Sequence, residues 1–240
     1  MVAPIIQECL ERRPARFTDN GHYLGKGMVM ECLFENRAEA AARLVQRLKR
    51  YRSHAVALAV GVDAVPVAVH VARQLHLPLG FLPVVSLKGP DGLAFGALAP
   101  GGSAVVEWSR FERVGEVGAR AIVAHEQVEL ARLEEMFGEF TQVPVGLRNA
   151  ILISDGIDTG MTMRAAVRAV RLHHPAQVIA TAPVISEQAE RHLREEACEC
   201  VTLVTCAVFG APGACYREFS PHAPPADALR LLAEASALVS

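Results

Sequence analysis

Apolar and polar positions along this chain fall into blocks with two distinct periods. At Asn36-Arg37-Ala38-Glu39 an Asn followed three residues later by Glu resembles a helix capping box. Ala40, Ala41, Leu44, Val45 and Leu48 then recur on one helical face. Ala55 to Val60 is continuously apolar and stops at Gly61, the pattern of a strand buried on both faces. Pro66 suits the first turn of a helix that runs to about His76. A second buried strand is predicted over Leu79 to Val85. Strand, helix and strand within about thirty residues signal a parallel sheet.

Residues 86–110 interrupt this alternation with Gly89, Pro90, Gly92, Gly96, Pro100, Gly101 and Gly102, and predict a loop or hairpin excursion that would form a small hood. A long amphipathic helix follows from about Glu116 to Phe137, with Ile122, Leu130, Leu133 and Phe137 among its apolar positions. The alternation then resumes. Strands are predicted at Ala150 to Ile153, Val178 to Val184 and Val201 to Val204, with helices at Thr162 to His173, Glu187 to Glu196 and Pro224 to Val239. This order predicts one doubly wound α/β domain with a mainly parallel sheet over residues 31–240. Residues 1–30, broken by Gly21, Gly25 and Gly27, are expected to form an N-terminal extension with little structure of its own.

Composition narrows the function classes. A net charge of −2 implies no broad attraction to nucleic acid or to an anionic membrane, so a phosphorylated small molecule would have to be bound locally. No apolar run approaches bilayer length, and the first residues lack a basic-then-apolar leader pattern. The six cysteines include no Cys-x-x-Cys pair and signal neither a disulfide framework nor a zinc site. A cytoplasmic protein is expected, with a homodimer left open.

The stretch from Ile151 to Arg164 carries the most chemistry. A buried strand ends at Ser154, a turn holds Gly156 and Gly160, and a helix opens near Thr162. Ligands of parallel sheets bind beyond the carboxyl ends of the strands. A helix N-terminus there offers free N–H groups and a positive dipole end, which suit phosphate. Thr159 and Thr162 could add hydroxyl donors, Met161 a backbone amide, and Gly160 close backbone approach. Asp155 and Asp158 suit sugar hydroxyls, a metal ion or a proton. An ordinary strand-turn-helix connection with Thr162 as N-cap is the competing reading.

The string Ile151 to Thr162 resembles the phosphoribosyl-pyrophosphate motif of type I phosphoribosyltransferases: four apolar residues, two acids, two further residues, a small or acidic residue, Thr-Gly, any residue, then Thr or Ser. Arg164 to Arg171, Tyr216-Arg217-Glu218-Phe219-Ser220 and the layout from Phe34 onward are similar to a bacterial group of that family, over roughly residues 31–240. The resemblance implies that Asp155 holds the ribose and a magnesium ion carried by the substrate. It also implies that Gly156 and Asp158 to Thr162 hold the 5′-phosphate, and that Asp158 is the catalytic base.

Three features depart from the pattern. Ser154 stands at the first acidic position of the family motif; the bacterial group's Pro-Arg-Gly-Gly loop after the first strand is here Gly61-Val62-Asp63-Ala64; and that group's Arg-Lys pair after the second strand is replaced by Ser86-Leu87-Lys88, leaving Lys88 as the expected nearby cation. Two readings therefore stay open. One is a transferase of ribose 5-phosphate from phosphoribosyl pyrophosphate to a nitrogenous base. The other is a regulatory protein that binds a nucleotide or sugar phosphate without turnover. Walker, dinucleotide-binding and hydrolase-elbow signatures are absent from the sequence. Trp108 and Phe111 could stack on a base, although burial is the commoner fate of such residues.

Overall fold

The computed structural model describes residues 33–196, 198–207, 212–218 and 224–236. The expected extension at 1–30 and the residues Phe219 and Ser220 lie outside them. Helix α1 (Arg37–Leu48) is capped by Asn36, whose side chain accepts from the Glu39 N–H, and buries Ala40, Ala41, Leu44, Val45 and Leu48 as its periodicity predicts. Strand β1 (Ala55–Val60) is buried throughout, and α2 (Val65–Leu75) follows with its proline in the first turn.

The second strand is shorter than expected. β2 (Leu79–Leu82) stops before Pro83, which has no N–H to give a ladder. The chain then leaves the main sheet. Residues 85–106 form an antiparallel meander of β3 (Val85–Lys88), β4 (Ala94–Ala99) and β5 (Ser103–Val106), so the predicted excursion is an ordered second sheet. Helices α3 (Trp108–Val114) and α4 (Glu116–Phe137) complete this half.

In the second half come β6 (Asn149–Ile153), α5 (Met161–Arg171), β7 (Gln177–Ser186), α6 (Glu187–Glu195), β8 (Glu199–Cys206) and α7 (Pro225–Ser236). α5 starts one residue before Thr162, and its cap is Gly160 with no side-chain hydrogen bond, so Thr162 is not the N-cap. The strands and helices predicted from Val178 onward are present, with β7 and β8 longer at both ends, and residues 237–239 of the last predicted helix lie outside the described residues.

The main sheet is parallel with strand order β2-β1-β6-β7-β8. The chain winds outward from β1 to β2 and, after β6, in the opposite direction. This reversal places a topological switch point between β1 and β6, where open α/β sheets bind their ligands. β1 and β6 pair in register from Ala55↔Asn149 to Ala59↔Ile153. Ile151, Leu152 and Ile153 are fully buried, and each such side chain contributes about 1.5–3 kcal/mol. Their packing fixes the level at which the loops after both strands leave the sheet.

Alternate side chains face opposite layers. Ala57, Ala59, Ile151 and Ile153 pack with α1, α2 and α7, while Val56, Leu58, Val60 and Leu152 pack with α5 and the inner face of the small sheet. Arg168 of α5 donates to the Ala104 carbonyl at 2.8 Å and binds Glu196 at 2.8 Å. Arg164 also binds Glu196 at 2.8 Å, and Arg171 donates to its backbone carbonyl. Burial opposes the charge on Glu196, but Arg168 and Arg164 outweigh it and hold its carboxyl below the usual range. No helix among the described residues is long and apolar enough to cross a membrane.

Candidate functional site

The connection from β6 to α5 is built on its neighbours. Ser154 is still sheet-bound through its N–H, which donates to Thr181 at 2.9 Å. Its hydroxyl turns back into the loop, donating to the Gly156 carbonyl at 2.9 Å. The serine that stands where the family has an acid is therefore engaged in closing its own turn. The Ile157 N–H donates to Val184 at 3.0 Å, and the Ser186 N–H donates to Ile157 at 2.9 Å. The loop thus gains a short bridge to β7, and Ile157 itself is core.

Gly160 has φ +77°, in the left-handed region that favours glycine. A Cβ there would lie 3.1 Å from the Ala189 Cβ and 3.3 Å from the Ala189 Cα on α6. Its glycine is required by backbone geometry and helix packing, independently of any ligand. The first helical bond is Arg164 N–H to Gly160 at 2.8 Å. Helix geometry leaves the amides of Met161, Thr162 and Met163 without partners inside the helix. Thr159 Oγ1 lies 3.5 Å from the Met161 N–H, too long for a strong cap. The Met161 side chain is buried, so only its amide is offered to a ligand. Gly156, Thr159 and Thr162 are partly exposed.

The two loops at the switch point meet electrostatically. Asp155 is buried and its Oδ2 accepts from Arg37 Nη2 at 3.1 Å. Burial pushes the Asp155 carboxyl up to about 6; Arg37 opposes that rise, and the negative charge of Asp63, in the turn after β1, adds to it. Asp158 is half-buried; burial raises its pKa and Arg110 of α3 counters. Arg110 also pairs with Glu107 at 3.1 Å and donates to the Ala94 carbonyl at 2.9 Å. The cation that acts on the loop from the hood side is thus Arg110, while the expected Lys88 is exposed at the end of β3.

Arg37 comes from the start of α1, and no local pattern signals its partner, because 118 positions separate it from Asp155. Beside it runs a strap. Phe34 bridges Tyr216, the Arg217 N–H donates to Phe34 at 2.9 Å, and the Glu218 N–H donates to Glu35 at 2.8 Å. The Tyr216 hydroxyl donates to the Asp155 carbonyl at 2.7 Å. The Phe34 layout and the Tyr216-Arg217-Glu218 run, quoted above only as family likeness, are neighbours in space. Trp108 is partly buried and Phe111 is buried, edge-on to Phe95 and Trp108 at 6.2 and 5.2 Å, so Phe111 belongs to the hood's own core. Pro90, Leu93, Phe95, Arg110 and Val114 line a cavity of about 240 Å³ in the hood.

Magnesium carried on substrate phosphates asks few ligands of a protein. Among the described residues no group of three metal-capable side chains occurs. Asp155 would have to leave Arg37 to coordinate an ion through Oδ2. The carboxylates therefore fit a direct metal site poorly, and no step below runs through a metal.

No family model matches the chain. Two proteins from two strains of Mycobacterium tuberculosis, each named provisionally as a phosphoribosyl transferase, are 34% identical to it over 195 residues, which is 78% of this chain and 44% of theirs. The chain thus spans less than half the length of these relatives. A Thermus thermophilus protein of known crystal structure superposes with a TM-score of 0.64 at 26% identity, covering 84% of this chain and 98% of that one. The motif at Ile151 to Thr162, the site at the sheet's switch point and these relatives agree: the chain resembles the type I phosphoribosyltransferases.

Proposed function

We propose that the domain binds phosphoribosyl pyrophosphate or a nucleoside 5′-phosphate at the switch point and transfers ribose 5-phosphate to a nitrogenous base. The observation that carries this reading is the Gly160 turn. It delivers the first amides of α5 beyond the end of β6, beside the buried Asp155 and the half-buried Asp158. Phosphate sits on the amides from Thr159 to Thr162. Asp155 accepts hydroxyls of the ribose.

In the reaction a base nitrogen forms a bond to ribose C1 as the C1–O bond to pyrophosphate breaks, with positive charge building on the ring. Asp158 takes the proton released by the nucleophile. Its burial raises its pKa toward the working range of a general base, with Arg110 holding that rise in check. Pyrophosphate departs on the side of Asp63, whose charge opposes it. Turnover with ordinary purines and pyrimidines is accordingly slow. The names of the relatives support the transferase reading over binding without turnover.

Calorimetry with phosphoribosyl pyrophosphate and magnesium, followed by nucleobase addition and an assay of pyrophosphate release, tests both halves. Absence of any binding would overturn the reading. Binding with no release for any base would reduce it to the regulatory alternative.

A further inference from the structure

We infer that Arg37 is the positioning residue of the ribose site: its guanidinium holds and aims the buried Asp155 carboxylate, and the strap formed by Phe34 and Tyr216 keeps that pair assembled. This rests on the ribose role proposed for Asp155.

The geometry is specific. A carboxylate has two oxygens and about four acceptor positions. Arg37 takes Oδ2 at 3.1 Å, and both side chains are mostly buried, 15% and 9% exposed. The backbone of the same residue is fixed from the other side, since the Tyr216 hydroxyl donates to the Asp155 carbonyl at 2.7 Å. The Arg37 guanidinium lies 5.8 Å from the centre of the Tyr216 ring, so one aromatic residue touches both members of the pair. The Phe34 and Tyr216 rings approach at 5.9 Å, and the Phe34 and Leu33 N–H groups donate to Cys215 at 3.1 and 3.0 Å. Chain segments from the start and from the later part of the described sequence thus converge on one residue, Asp155.

The chemistry explains why such support is needed. A diol donates two hydroxyls, and only an ionised carboxylate accepts both without offering a proton of its own. Burial and the nearby Asp63 both favour the neutral acid, and Arg37 is the cation that acts against them. With Arg37 removed, Asp155 would be protonated over more of the neutral range. The acceptor would then be lost although the carboxyl remained in place. The phosphate loop, fixed by β7 and α6, would be unaffected.

The test compares ribose 5-phosphate with inorganic phosphate as calorimetric ligands from about pH 5 to about pH 8.5, using the unmodified chain, Arg37→Gln and Arg37→Lys. In the unmodified chain, affinity for ribose 5-phosphate should fall as pH drops through about 6. Arg37→Gln should weaken ribose 5-phosphate about tenfold or more at neutral pH and move that midpoint upward, while inorganic phosphate stays within about twofold. Arg37→Lys should restore most of the loss, since it keeps the charge. Equal losses for the two ligands, or no loss, would overturn the inference and assign Arg37 to fold support alone.

If Arg37→Gln does not fold, Arg37→Met, which removes the charge but keeps an apolar stem, and Tyr216→Phe carry the same comparison. If the unmodified chain binds neither ligand, the proposed function fails on its own. Carbon-13 NMR titration of Asp155 then judges Arg37. A carboxyl titrating in the ordinary range, or one whose midpoint Arg37→Gln or Arg37→Met leaves untouched, would refute the role.

Discussion

Two helices start at the same edge of the main sheet, and their N-termini are built in opposite ways. α6 follows β7 directly and is self-sufficient. Ser186 accepts from the Ala189 N–H at 2.9 Å, and Glu187 and Glu190 sit in the first turn against the dipole. α5 follows β6 through a seven-residue detour, has no side-chain cap bond and carries no acid in its first turn. A helix start that satisfies itself has nothing left for an anion. One that leaves its amides and its dipole uncompensated is stabilised by whatever anion arrives. The same Ser186 hydroxyl donates to the Asp158 carbonyl, so the closed end props up the open one.

The contrast can be broken most severely at Gly160. Gly160→Val should destabilise the fold by about 1–3 kcal/mol, from positive φ alone, and more from the contact with Ala189. It should also abolish phosphate binding, read by calorimetry beside a melting curve. Next is the transplant of α6's acid. Thr162→Glu should cost on the order of 4 kcal/mol of phosphate affinity, the scale of like charges about 4 Å apart at an effective dielectric of about 20, yet leave the melting temperature unchanged or slightly higher. Unaltered phosphate affinity in this variant would show that the ligand lies elsewhere.

Thr159→Val removes a hydroxyl rather than adding a charge. About 1.5–3 kcal/mol of affinity should be lost, with folding little changed, and an unchanged dissociation constant would restrict Thr159 to a local structural part. The smallest effect belongs to Ser186→Ala. Loss of the cap should lower stability by about 1 kcal/mol in chemical denaturation, with a modest weakening of phosphate binding through Asp158. Equal phosphate affinity would show that the two helix ends are independent.

The parts of this molecule legible in sequence are those whose signal is local. The apolar face of α1, the runs that become β1 and β6, and the limits of α4 follow from periodicity, because burial selects one face or a whole strand. The glycine turn between β6 and α5 is legible because it must be contiguous. Pro83 marked the end of β2 in advance, but an apolar run on both sides of it hid the break. The remaining features depend on pairs far apart in the chain. Arg37 sits inside a capping pattern that fully accounts for its neighbours, and nothing there names Asp155. Ser154 stands where the resemblance expects a carboxylate, and its hydroxyl has a partner of its own at Gly156.

The clasp around Glu196 bears on timing. Arg168 joins the β5 end of the small sheet, α5 and the end of α6 through one guanidinium, and Arg164 and Arg171 add to the same node. The root of the hood is thereby anchored to the helix whose first turn opens the phosphate loop. Its far turn around Pro90, Asp91 and Gly92 is held chiefly by short bonds of its own, Gly92 N–H to Gly89 at 2.9 Å and Leu93 N–H to Asp91 at 3.0 Å. Motion of a turn held by such local bonds belongs to the nanosecond-to-microsecond scale of loops, whereas motion of the anchored root belongs to the slower scale of domain closure.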